Sequence, residues 1–230
     1  MKSSTQPPFS FLTMRTLLEH TGFRARNISQ FMIILQEIDD WSIFLHIHHA
    51  FRRHQAWKAE WVNDFSQWLM VALGEDEIAT EIMNLDFWSF TSIQEIRAAI
   101  LAILNQKKWP RHTVPRHRGF HFLTTRNFVI PLDYFAYSLV EFSNCLKQIS
   151  PLSIFYHVFV AKIAYSRGRN DFSSWILETL KPRGLSTAVE IANEIESINP
   201  YAISLEAYRD RLLRILSPHV LDSVDDSEDE

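Results

Sequence analysis

The sequence predicts an all-α protein: a duplicated helical domain whose two repeats, of four to five helices each, are related by a pseudo-twofold axis, with short extended segments at the repeat starts. Three observations predict it. The stretch FSFLTMR at 9–15 returns as FHFLTTR at 120–126, with five of seven positions identical. That offset of 111 aligns residues 9–46 with 120–157 without a gap and leaves 13 of 38 positions identical, where unrelated stretches of this composition would give roughly two or three. Only five glycines occur in 230 residues, which suits helices better than a turn-rich β fold. Apolar residues recur at spacings of three and four in both copies.

The repeat divides the chain. After a four-residue deletion in the second copy, NDFSQWL (63–69) faces NDFSSWI (170–176), and ATEIMNL (79–85) faces ANEIESI (192–198). The expected organisation is a disordered N-terminus over 1–8, repeat 1 over 9–105, a basic linker over 106–119, repeat 2 over 120–217 and an acidic disordered tail over 218–230. Two units of this size are a duplicated domain rather than a solenoid array.

The elements follow in order. Phe9 and Phe11 share one side of an extended start. Thr13 suits an N-cap for a short helix over MRTLLEH, which Gly22 could end. ARNISQFMIILQEI places Ile28, Phe31, Leu35 and Ile38 on one helical face. SIFLHIHHAFRRH is the next helix, with Ile43, Phe44, Ile47 and Phe51 inward. Asn63 or Asp64 caps the helix of FSQWLMVAL, and Gly74 stops it. DEIATEIMNL is a shorter helix. Ser92 and Glu95 then form a capping box that opens IQEIRAAILAIL. Repeat 2 keeps the order, with Pro131 spoiling its first short helix and KPRG (181–184) lengthening the turn before STAVEIANEI.

Composition limits function. No apolar run reaches the roughly 18 residues of a membrane-spanning helix, and the start of the chain lacks the apolar stretch of a secretory signal. The single Cys145 falls on an apolar helical stripe and is expected to be a buried thiol. A reducing, cytoplasmic setting is the default. The tail 222–230 holds six acidic residues, and without them the net charge rises from −4 to +2. The stretch KKWPRHTVPRHRG (107–119) has five Lys or Arg, two His and no acid. These are either a solvated tail and linker, or an anion-binding linker with the tail as its intramolecular competitor.

Duplication provides an internal control. A polar residue kept in both copies serves the shared fold or a shared site. Kept are Arg15/Arg126, His46/His157, Asn63–Asp64/Asn170–Asp171, Ser66/Ser173, Trp68/Trp175 and Glu81/Glu194. Structurally, the Asn-Asp pairs are helix caps and the histidines are imidazoles bonded to a neighbour, holding helices in register. Chemically, His46 with Asp64 would be a base and its orienter, although no nucleophile elbow accompanies them.

Repeat 1 alone carries Arg24, Arg26, Asn27, His48, His49, Arg53 and His54, where repeat 2 has mostly apolar or aromatic residues. His46, His49 and Arg53 share one helical face. HIHH invites zinc, but no second ligand motif is present, so no metal is expected. Arginine forks with histidines suit an anion such as a phosphate. Nucleotide-loop, kinase and hydrolase signatures are absent, and no cofactor is expected.

LLEHTGFRARNISQF (17–31), SIFLHIHHAFRRH (42–54), NDFSQWL (63–69) and FTSIQEIRAAI (90–100), in this order, resemble an uncharacterised prokaryotic family, domain of unknown function 5752, here in tandem. The resemblance implies an all-helical cytoplasmic protein and no activity. Repeat 2 departs from the pattern by lacking the TG-x-x-ARN element and the His-rich continuation.

The reading is a non-enzymatic ligand-binding or scaffolding protein whose cationic face on repeat 1 comprises Arg24, Arg26, His46, His49 and Arg53. Its partner would be an anionic small molecule or a protein, with nucleic acid a weaker candidate and no membrane. The alternative is an enzyme acting on a phosphorylated substrate with His46 and Asp64 as an acid–base pair.

Overall fold

The computed structural model describes residues 7–49, 63–106, 109 and 112–225. Helices dominate, but two 17-residue strands, β1 (Phe9–Ala25) and β2 (Phe120–Ala136), pair in a two-stranded sheet. The protein is therefore α/β rather than all-α. The short helix expected over MRTLLEH, and the capping role of Thr13, are replaced by continuous strand. The reason is energetic. A seven-residue helix makes too few bonds to offset its nucleation, whereas a strand opposite a similar strand satisfies its backbone groups along its length. Burial follows the pleat at the strand starts, with Phe9 and Phe11 in β1 and Phe120 and Phe122 in β2 buried on one face. Pro131 sits within β2.

The chain folds as two compact units. One is Thr16–Asn127 and the other joins the segment up to Arg15 to Phe128 and everything after it. The boundaries thus fall inside the strands.

In the Thr16–Asn127 unit the later part of β1 runs antiparallel to the start of β2. Thr16 Oγ1 donates to Asn127 Oδ1 at 3.0 Å, and Thr21 Oγ1 to the Phe122 carbonyl at 2.6 Å. Helix α1 (Ile28–Glu37) buries Ile28, Phe31 and Leu35 and is capped by Asn27, whose side chain accepts from Gln30 N–H. Helix α2 (Asp40–Phe44) widens into a π-helical segment, Leu45–His49. Asn63 caps α3 (Asp64–Trp68), which also ends in a π-helical segment, Leu69–Leu73. Gly74 closes that helix at φ 72°, a left-handed conformation that glycine adopts without strain. Then come α4 (Asp76–Met83) and α5 (Ile93–Leu104), the latter capped by Ser92. The core is aromatic: Phe31 meets Phe65 at 5.2 Å and Phe122 at 5.4 Å, and stacks on Trp68 at 5.4 Å between ring centroids. Arg97 ties α5 to the end of α1, donating to the carbonyls of Leu35, Gln36 and Ile38 and to Asp40 Oδ1 at 2.6–3.0 Å. It supplies partners for carbonyls that the helix itself leaves unbonded.

The other unit takes the first residues of β1 and the later part of β2. Its helices are α6 (Leu139–Gln148), α7 (Pro151–Phe155) widening into a π-helical segment over Tyr156–Ala164, α8 (Asp171–Leu180), α9 (Leu185–Ser197) and α10 (Leu205–Asp225). Helix α10 runs through much of the stretch expected as the acidic tail, and residues 226–230 lie outside the described residues. Here Phe142 meets Phe9 at 5.2 Å and Phe11 at 5.4 Å and stacks on Trp175 at 5.1 Å. Cys145, expected to be buried, is only half-buried, and its Sγ lies 3.7 Å from the Phe135 carbonyl. Partial burial and the neighbouring Glu141 carboxylate push the thiol above its ordinary range. No helix among the described residues is long and apolar enough to cross a membrane.

Candidate functional site

Two places answer to the expected chemistry, and they differ in kind. The first is the histidine–aspartate pair. His46 lies in the π-helical turn after α2, and its Nδ1 is 2.9 Å from Asp64 Oδ2 at the start of α3. Its Nε2 accepts the Leu123 N–H of β2 at 3.0 Å. Nε2 is therefore the acceptor nitrogen, and Nδ1 carries the proton that faces Asp64. His46 is also buried, at 3% exposure, under Phe120 at 4.8 Å. A base needs a nitrogen aimed at substrate, and both nitrogens of His46 are engaged within the protein.

In the other unit the arrangement recurs. His157 Nδ1 is 2.8 Å from Asp171 Oδ2, and His157 Nε2 accepts the Leu12 N–H at 2.8 Å. Burial pushes this imidazole below its ordinary value, against the opposing pull of Asp171. Burial also pushes the adjacent Tyr156 phenol up to about 12.

The second place is an open cleft of about 460 Å³ in the Thr16–Asn127 unit, lined by Gly22, Arg24, Arg26, Gln30 and Arg116. Its size suits a small ligand. Gly22, within β1 two residues before Arg24, lies in the left-handed region at φ 82°. Arg26 is anchored by its Nε, which donates to the Val114 carbonyl at 2.8 Å. Arg24 Nε is buried without a hydrogen-bond partner. Gly119 lets the arginine lie where it does: a Cβ there would meet Arg24 Cδ at 3.0 Å and the Ala25 carbonyl oxygen at 3.0 Å. Gln30 Oε1 accepts the Arg26 N–H at 2.9 Å, and Gln30 N–H donates to Asn27 Oδ1 at 2.8 Å. The start of α1 is thus capped by its own side chains, and the cationic character of the cleft comes from the guanidinium groups.

Of the residues expected on the cationic face, Arg24 and Arg26 come together in the cleft. His46 does not join them, being turned inward to Asp64 and Leu123. Arg53 and the side chain of His49 lie outside the described residues. Arg116 was missed as a site residue, although it belongs to the basic stretch 107–119 that the sequence marks as a candidate anion-binding linker. His121, on β2, was also missed. Slight burial first, and then the fields of Arg24, His20 and Arg116, push its imidazole below the ordinary value. No group of three or more His, Cys, Asp or Glu among the described residues could hold a metal ion.

A family model described as a family of unknown function, DUF5752, matches residues 6–217. Among solved structures, that of OrfY from Thermoproteus tenax is similar, with a TM-score of 0.80 and 26% identity over 93% of this chain and 95% of that one. No curated protein matches the chain. The match over nearly the whole length, on an α/β scaffold that repeats one histidine–aspartate arrangement in each unit, places the chain in DUF5752, a family of unknown function.

Proposed function

We propose that this is a non-enzymatic binding protein whose cleft in the Thr16–Asn127 unit takes a small anion. The observation that carries the reading is the cleft's lining: Arg24, Arg26 and Arg116 converge there with Gln30 and glycine, and among the described residues no carboxylate lines it. Guanidinium forks bind planar or tetrahedral oxyanions through paired, charge-assisted hydrogen bonds. The histidine–aspartate pairs belong to the scaffold in this reading, because both ring nitrogens of His46 and of His157 are engaged within the protein.

The scaffold reading extends to origin. The two strands share nearly one burial pattern, and each unit bonds a buried histidine to a strand N–H. Duplication of one ancestral domain accounts for both. A prokaryotic, cytoplasmic setting accords with the lone, half-buried Cys145 and with the family resemblance.

The test is a calorimetric screen of inorganic phosphate, sugar phosphates and nucleotides against wild type and Arg24→Ala/Arg26→Ala. Binding by wild type that weakens as salt rises, and that is lost in the double variant with the melting temperature retained, is the expected result. Binding unchanged in the double variant, or no binding by any anion, overturns the reading.

A further inference from the structure

We infer that the cleft's ligand is a doubly charged tetrahedral oxyanion, such as a phosphoryl group, and that it binds together with a proton carried by His121. This rests on the anion-binding reading of the cleft.

The argument begins with strand register. Thr21 bonds to the Phe122 carbonyl, so the neighbouring His121 lies across the ribbon from the Gly22 stretch that lines the cleft. Phe120 and Phe122 on either side of it are buried in the core. Alternation along the strand sends His121 to the opposite, outer face. There, besides the larger effect of slight burial, it lies in the field of Arg24 and then His20, both on β1, and of Arg116 from the turn Arg116–Arg118 that precedes β2. Glu19, the nearest acid along β1, is paired with Arg126 Nε at 3.0 Å and turned to that residue. Arg24 and Arg116 are themselves cleft-lining residues. Beyond the larger effect of burial, two of the groups that disfavour a proton on His121 are therefore groups whose charge an incoming anion would neutralise.

Two consequences follow from that overlap. An anion that neutralises Arg24 and Arg116 removes the repulsion that keeps a proton off His121, and its own negative charge attracts one. The imidazolium formed then adds a positive charge across the ribbon from Gly22, beside the cleft. A dianion gains more from this fourth cation than a monoanion does, which favours phosphoryl or sulfuryl groups over carboxylates. The proton comes from solvent and no bond is made or broken in the ligand. By linkage, affinity rises as pH falls across the neutral and mildly acidic range, by up to about tenfold per unit for one proton.

Sulfate is the probe that isolates this proton, because it stays doubly charged across that range while phosphate takes up a proton of its own. Titration calorimetry of sulfate in two buffers of different ionisation enthalpy, at near-neutral pH, reads the protons taken up on binding. Net uptake by wild type, lost in His121→Gln while sulfate still binds, is the expected result, together with acetate binding at least severalfold weaker than sulfate. Heats independent of buffer, or uptake unchanged in His121→Gln, overturn the proton assignment and leave the anion-binding reading standing. Absence of sulfate and phosphate binding alike overturns both.

Discussion

His157 and Leu12 are joined by a 2.8 Å hydrogen bond in which the strand N–H donates to the imidazole Nε2, while Nδ1 of the same ring faces Asp171. The ring itself is buried, at 1% exposure. Removing the ring leaves a strand amide and a carboxylate with one partner fewer. His157→Ala should therefore lower stability by about 1–3 kcal/mol. Urea unfolding of wild type and variant measures it. Equal midpoints would show that the histidine only fills space.

The same burial gives a pH dependence. His157 is held below its ordinary value of 6.5, so the native chain binds fewer protons there than the unfolded chain once the pH drops under that value. Stability should be fully present above about 6.5 and fall as the pH is lowered through the depressed native value. Melting temperatures across mildly acidic pH should show the decline, and His157→Gln should flatten it. A wild-type curve that is level down to about pH 5 would count against a neutral buried imidazole.

Glu196 is the acceptor for a buried cluster. Its Oε1 takes bonds from Asn170 N–H and Nδ2 at 2.8 Å each and from Ser173 Oγ, and its Oε2 faces Lys162 Nζ at 3.2 Å. In the Thr16–Asn127 unit the corresponding Asn63 Nδ2 and Ser66 Oγ are buried without partners, and the sequence alignment sets Met83 opposite Glu196. Glu196→Met should cost about 3–5 kcal/mol, because a buried ammonium loses its carboxylate. Met83→Glu should raise the melting temperature if its carboxylate reaches the two unpartnered donors. Calorimetric melts of both variants decide the matter. A neutral Glu196→Met would show that the cluster contributes little.

Gly119 makes room for Arg24. A methyl group there would meet Arg24 Cδ and a backbone oxygen, each at 3.0 Å. Gly119→Ala should shift the arginine and weaken anion binding by roughly tenfold or more, the loss of one charge-assisted contact. Phosphate titration of the variant tests it, and unaltered affinity would place Arg24 outside the ligand's reach.

Much of the local structure was legible in the sequence because its causes are local. Asn63, Ser92 and Gly74 announce helix ends through short-range hydrogen bonding and a left-handed turn, and each does so in the structure. The spacing of Ile28, Phe31 and Leu35 fixed the buried face of α1. The pairing of His46 with Asp64 was readable from their recurrence as His157 with Asp171, and Arg24 and Arg26 marked a cationic place. What the tertiary structure decided was everything that depends on a distant partner. Residues 13–21 have no internal reason to prefer strand over helix, and become strand because β2 supplies the matching hydrogen bonds. Phe9 and Phe11 join the unit built by the later helices, and Phe120 and Phe122 the unit built by the earlier ones, a choice that periodicity within one segment does not encode. The site changed for the same reason. His46 shares a helical face with His49 in sequence, yet its ring is claimed by a strand amide 77 positions away. Arg116 and His121, remote from Arg24 in sequence, reach its neighbourhood only because β1 and β2 pair, bringing basic side chains together in space that no local spacing could have joined.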